Sequence, residues 1–217
     1  MKFEKNLSSN NDNSKLKKLL DVMKNSGFLT DPKVEEAIKK ALRHNFVPKN
    51  QQTMAYKNLP LPIMENQTIS QPAVVARMTE WLDIKEDNKI LEIGSGSGWQ
   101  SAILSNLVPR GKVLTIERHK KLADFAKKNL EKMGIDNVTI IHGDGNLGFP
   151  QEAPFDRIMI TAACNAIPPA LLNQLKVGGL LIAPVGKNSQ SLILVQKTVE
   201  GFKELKNQEG YIFVPLI

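Results

Sequence analysis

The stretch KILEIGSGSGWQSAIL, Lys89–Leu104, decides the fold. The apolar run before Gly94 reads as a buried strand, Gly94, Gly96 and Gly98 alternate through a turn, and the residues from Trp99 onward have helical spacing. Glycines placed directly after a strand let a ligand lie against bare backbone, at the strand ends where open α/β sheets bind their ligands. Further apolar runs follow: KVLTIE, VTIIH, DRIMIT, LLIAPV, SLILVQK and YIFVPL, with helical stretches near 98–108, 119–133 and 168–176. Strands separated by helices predict right-handed crossovers, hence an α/β, Rossmann-like sheet that is mostly parallel and covered on both faces. No helix separates the last two runs, which predicts an antiparallel last strand.

Three ligand classes compete for the turn. A phosphate-binding loop needs Gly-Lys-Ser/Thr, and the chain has Gly98-Trp99-Gln100. A dinucleotide site needs a third glycine at position 99, which Trp99 fills. Charge separates what remains: Glu92 stands two residues before Gly94, and an acid there disfavours a pyrophosphate and suits a cationic amine. S-adenosylmethionine carries an amine and a sulfonium and no phosphate, so it fits best. Glu117 ends the second strand, where a carboxylate can accept both ribose hydroxyls; the alternative is an acid that merely starts a helix. Asp144, in HGDGN, either accepts from the adenine amine or belongs to an Asp-Gly turn. Ser95, Gly98, Trp99, Arg118, Gly145 and Thr161 complete the expected cofactor set.

Upstream, Leu16, Leu19, Leu20 and Met23 recur at helical spacing from Ser14, and Gly27 stops that helix. A second helix begins near Asp31-Pro32, with Val34, Ala37, Ile38, Ala41 and Leu42 as its apolar stripe. Residues 48–71 read as a long loop and 1–13 as disordered. The organisation expected is an N-terminal helical segment with a substrate loop over 1–71 and a cofactor-binding core over 72–217, forming effectively one domain.

Composition narrows the function. With 41% hydrophobic and 24% charged residues the chain is ordinary globular material. The net charge of +7 could favour nucleic acid, but the lysines are scattered among acids, so solvated helix faces are the reading preferred and no nucleic-acid partner is expected. No apolar run approaches a membrane span and MKFEKNLSSNNDNSK lacks the apolar core of a secretory signal, which points to the cytoplasm. The single cysteine, Cys164, excludes a disulfide framework and a multi-cysteine zinc site; as a lone buried residue it reads as core rather than nucleophile. His44, His119 and His142 are dispersed, so neither a metal site nor a general base is expected. Nitrogen-directed DNA methylation calls for Asn/Asp-Pro-Pro-aromatic after the fourth strand, and TAACNAIPPALL lacks it. An acceptor that is already a carboxylate, with a pKa of about 4, needs no base.

RHNFVP (43–48), LPIMENQTISQP (61–72), LEIGSGSGWQSAIL, IERHKKLADFAKKNL, HGDGNLG, APFDRIMITAA, IPPALLNQLKVGGLLIAPVG and YIFVPL together resemble the protein-L-isoaspartate O-methyltransferases, from about Val34 onward. The resemblance implies a class I methyltransferase that uses S-adenosylmethionine to methylate the abnormal carboxylate of L-isoaspartyl residues in damaged proteins, an initiating step of repair. It implies that Ser70 lies beside the acceptor carboxylate as the catalytic residue, that Thr68, Ile69 and Gln71 border cofactor and substrate, and that Val214 contributes backbone contacts to the substrate. From the residues alone, Ser70 also reads as an N-cap for the helix after Pro72, and the two roles are compatible. The long loop before Ser70 reads as a lid. Trp99 stands where tyrosine is usual, Glu65-Asn66 replace a common glycine, and the chain stops at Ile217, which shortens the substrate-side tail. Nothing resembles a dimerisation element, so a monomer is expected. The competing readings are a carboxyl methyltransferase acting on normal aspartate of a dedicated peptide, a nucleic-acid methyltransferase, and a cofactor-binding protein without activity.

Overall fold

The computed structural model describes residues 10–217. In chain order the elements are α1 (Asn10–Asn25), α2 (Pro32–Lys40), the two-residue strands β1 (Leu61–Pro62) and β2 (Thr68–Ile69), α3 (Pro72–Trp81), β3 (Lys89–Ile93), α4 (Trp99–Leu107), β4 (Lys112–Glu117), α5 (Lys120–Lys132), β5 (Val138–His142), β6 (Phe155–Ile160), α6 (Pro169–Asn173), β7 (Leu175–Val185), β8 (Gln190–Thr198) and β9 (Gly201–Tyr211). α2 ends at Lys40, short of Ala41 and Leu42 of the expected stripe, and a 3-10 turn at Arg43–Phe46 follows it; a second, Lys49–Met54, lies within the stretch read as a long loop.

Seven strands form one sheet in the order β5-β4-β3-β6-β7-β8-β9. Its first five strands are parallel. After β3 the chain winds outward through β4 and β5, then returns to lay β6 on the other side of β3. The carboxyl ends of β3 and β6 therefore flank the switch point where such sheets open a crevice. The reversal begins one strand earlier than expected, because β8 is antiparallel to both β7 and β9.

Pleating divides the core. Leu91, Ile93, Leu114, Ile116, Ile158 and Ile160 bury one face with Leu171 of α6. Ile90, Val113, Met159 and Ile182 bury the other against Met78 and Leu82, from α3 and its end, and Leu104 of α4. α1 and α2 then cover the outside of α4: Leu16, Leu19, Leu20, Met23, Val34 and Ile38 share a cluster with Trp99, Ala102 and Ile103. Asp31 caps α2 by accepting from the Lys33 N–H at 2.7 Å.

Two expectations need correction. Residues 10–13 belong to the first turns of α1, where Asp12 suits the positive end of the helix and pairs with Lys15 at 3.6 Å; residues 1–9 of the stretch read as disordered lie outside the described residues. The last strand is Gly201–Tyr211 rather than YIFVPL. After Tyr211 the tail crosses the ends of the sheet, with Val214 O accepting from Ala163 N and Leu216 N donating to Ala163 O, both at 2.7 Å.

Gly98 precedes α4 at φ +86°, and a Cβ there would lie 3.2 Å from that of Ala126 on α5. Gly98→Ala should therefore destabilise the fold by about 2 kcal/mol, combining left-handed strain with overpacking, as read from urea unfolding.

Candidate active site

The end of β3 is fixed from both sides. Gly94 N donates to Ile116 O at 2.8 Å, and Thr161, just past β6, returns its N–H to Ile93 O at 3.0 Å. The Thr161 hydroxyl lies 2.9 Å from Ile93 O and 2.8 Å from Gly94 O. Gly94 has φ +94°, and a Cβ there would come 2.5 Å from that hydroxyl, so glycine is required on two counts. Glu117, 5% exposed, accepts from Gly96 N through Oε2 and from His119 N through Oε1, both at 2.9 Å. Those bonds lock the carboxylate in place while leaving lone pairs on both oxygens for a diol.

Around this turn lies a cavity of about 380 Å³, within the size range of small-ligand sites. Gly94, Ser95, Gly96, Glu117, Arg118, Gly145 and Thr161 line it on the sheet side. Thr68, Ile69, Ser70 and Gln71 line it opposite, and the tail closes a third side with Val214. Thus twelve of the sixteen residues singled out from sequence meet in one cavity without qualification. Trp99 also borders it, but its side chain is turned into the core, 2% exposed, with Nε1 donating to Ala41 O at 2.8 Å.

Four predicted cofactor residues stand elsewhere or act differently. Glu92 does not line the cavity: the alternation of β3 points it, with Ile90, toward α4, where Ser101 donates to its Oε2. Burial raises its pKa to about 7, opposed by the hydrogen bond from Ser101 and aided by the charge of Glu117, and its Oε1 has no partner among the described residues. Glu92 therefore stands behind the strand end, buried, rather than in the cavity wall. Gly98 is a packing glycine, as its contact with α5 explains. Asp144 is exposed beside the cavity and takes the turn role, accepting from Asn146 N at 2.9 Å. Trp99 is the fourth, a core side chain at the edge of the site.

The helix after Pro72 also differs from expectation. Its N-cap residue is Gln71, whose side chain makes no cap bond, and the free donor at Ala73 N goes instead to Asn58 Oδ1 at 3.0 Å. Ser70 is not the cap; its hydroxyl makes no hydrogen bond to any described residue, and it faces the cavity. What holds Ser70 is Arg43, whose Nη2 donates to Ser70 O at 2.9 Å.

Sequence reading missed Arg43, Asn58 and His119, which lines the cavity after Glu117. An arginine is ordinarily solvated, so only a buried setting marks this one out. Glu65 and Asn66, at φ 58° and 56°, turn the β1–β2 hairpin, and Glu65 pairs with Lys121 at 3.0 Å and lies 3.8 Å from His119 Nδ1. Ile63 of the same hairpin reaches over Gly96. Cys164 is buried, with its pKa pushed up to about 11 by burial, so it stays a thiol at neutral pH.

A seven-stranded α/β sheet with a glycine turn at its switch point and an acid ending the next strand is the architecture of class I methyltransferases. The profile of the protein-L-isoaspartate(D-aspartate) O-methyltransferase family matches residues 13–217, and the chain belongs to that family. It is 46% identical over 203 residues to a protein-L-isoaspartate O-methyltransferase of Methanopyrus kandleri, covering 92% of this chain and 90% of that one. Among solved structures, a protein-L-isoaspartate O-methyltransferase superposes with TM-score 0.83 at 29% identity, covering 92% of this chain, which spans 65% of that chain's length. A second, from Plasmodium falciparum and in complex with S-adenosyl-L-homocysteine, gives TM-score 0.82 at 25% identity over 93% of this chain and 98% of that one.

Because the folded-state pKa of Glu92 lies above its ordinary 4.5, its contribution to stability is full below that value and is lost as pH rises through about 7. Glu92→Gln should therefore raise the melting temperature over that of the native chain by more at about pH 8 than at about pH 5, read by differential scanning calorimetry.

Proposed function

We propose that the chain transfers a methyl group from S-adenosylmethionine to the free carboxylate of L-isoaspartyl residues in damaged proteins or peptides. The observation that carries this reading is that an unengaged serine hydroxyl, Ser70, shares one cavity with the glycine turn and Glu117. Family membership supplies the substrate class.

The residues present fit the cofactor. Ser95 Oγ is buried, borders the cavity and has no partner among the described residues, and so offers a polar group to a ligand. Gly94 and Gly96 keep backbone uncovered, and Glu117 holds open lone pairs toward a ribose diol. When bound, S-adenosylmethionine supplies an electrophilic methyl on a sulfonium sulfur. Glu117, Ser95, Gly94 and Gly96 would hold it from the sheet side, with Arg118, Gly145 and Thr161 beside them.

Ser70 would donate its O–H to the acceptor carboxylate and aim one oxygen at the methyl. That oxygen's electron pair forms the new O–C bond while the S–C pair returns to sulfur, and no proton moves. Opposite charges cancel in the step, so the dry walls supplied by Ile69, Val75 and the tail favour it. Thr68, Gln71 and Val214 would border the peptide on either side of the acceptor. In this reading residues 1–71 contribute the acceptor side and 72–217 the cofactor core, the protein works as a monomer, and its place is the cytoplasm. Among the described residues no helix is long and apolar enough to cross a membrane.

The test is methyl transfer from tritiated donor to an isoaspartyl peptide and to its normal aspartyl twin. Label on the first alone is expected; label on the twin alone would overturn the reading in favour of a normal-aspartate enzyme. Ser70→Ala should lower kcat by about 10²-fold with little change in cofactor Kd, whereas Glu117→Ala should weaken cofactor binding by at least about tenfold in titration calorimetry.

A further inference from the structure

Arg43 is an arginine with 1% of its surface exposed and with no carboxylate partner among the described residues. Its guanidinium reaches five backbone carbonyls instead. Nη1 donates to Ala55 O at 2.8 Å and Lys57 O at 3.3 Å; Nη2 donates to Leu59 O at 3.0 Å, Ile69 O at 3.4 Å and Ser70 O at 2.9 Å. These acceptors span the segment from the second 3-10 turn to Ser70, a stretch whose own secondary structure is two strands of two residues each. The same cation lies 5.1 Å from the ring centroid of Trp99, the first residue of α4, directly after the glycine turn. One planar group thus touches both the backbone of Ser70 and the helix that begins at the glycine turn.

Resting on the methyl-transfer reading above, we infer that Arg43 is a positioning residue for the reaction: it sets the distance between the Ser70 hydroxyl and the glycine turn by clamping the Ser70 carbonyl and stacking on Trp99. Arg43 itself does not line the cavity. Its effect falls on placement because the fork is rigid and its acceptors diverge, so that moving the fork moves Ser70. Lysine cannot replace it: a single ammonium head has no plane to stack on the indole and cannot span carbonyls on both sides of the segment.

The experiment uses the full chain with Arg43→Lys and, as a neutral replacement with two amide donors, Arg43→Gln. Folding is checked by circular dichroism, binding of S-adenosylhomocysteine by titration calorimetry, turnover with an isoaspartyl peptide, and backbone order by hydrogen exchange across residues 55–75. For a folded variant the expected result is a kcat lowered by about 10²-fold per folded molecule, a peptide KM within about threefold of native, an S-adenosylhomocysteine Kd within about threefold, and faster exchange confined to that segment. A kcat within threefold of native in a folded variant would overturn the inference, as would equal losses in kcat and cofactor affinity. Failure of both variants to fold would also overturn it, since Arg43 would then serve the fold alone. An inactive native chain that still binds S-adenosylhomocysteine is a different result: it refutes the methyl-transfer reading, not the clamp, whose exchange signature can still be measured.

Discussion

A guanidinium carried out of water loses its hydration, and in Arg43 five main-chain carbonyls replace it at Nη1 and Nη2 and an indole face lies beside the group, while Nε has no partner among the described residues. Burial lowers its pKa to about 9, so it remains protonated at neutral pH and its fork keeps every donor. The exchange is reciprocal. The carbonyls of Ala55, Lys57, Leu59, Ile69 and Ser70 belong to a segment with little secondary structure, and each needs a donor when buried. Cation and segment therefore solve each other's problem, and the acceptor side of the cavity has its shape because of that match.

The two sides of the cavity are held by different physics. The sheet side is built from strand ends: β3 is pinned by Thr161 and Ile116, and Glu117 is fixed by N–H groups on either side of it. Short-range backbone pairing leaves little freedom there. The acceptor side depends on bonds between residues far apart in sequence, such as Asn58 to Ala73 and Arg43 to Ser70. A hairpin latched by surface ion pairs completes it. Exposed pairs of that kind contribute little each, so this latch holds the hairpin only weakly.

The sheet and the glycine turn were legible because they follow from local rules: apolar runs of strand length, helical spacing between them, and glycines in the one place a strand hands over to a helix. Glu117 was legible by position, as the last residue of the neighbouring strand. Glu92 was misread because charge was considered without parity; the residue that looks poised for an amine points under α4. Asp144 and Trp99 were open in the same way, since an acid before glycine and a large aromatic both have structural uses. Arg43 and Asn58 left no local signal, because their partners lie 12 to 27 and 15 positions downstream. β9 escaped for a simpler reason: its residues are exposed nearly throughout, so it lacks the period of two that marks a half-buried strand.

That same strand matters beyond the fold. β9 bonds to β8 along one side only, and along it Lys203, Glu204, Lys206 and Glu209 all meet solvent. An uncharged margin of free main-chain groups would invite extended chains to add on as further strands. Alternating lysines and glutamates make such adhesion unfavourable. The charges thus weigh against strand addition at the rim of the sheet, where Phe202 and Leu205 are also exposed, while the crevice lies apart from that rim, at the strand ends near the centre of the sheet.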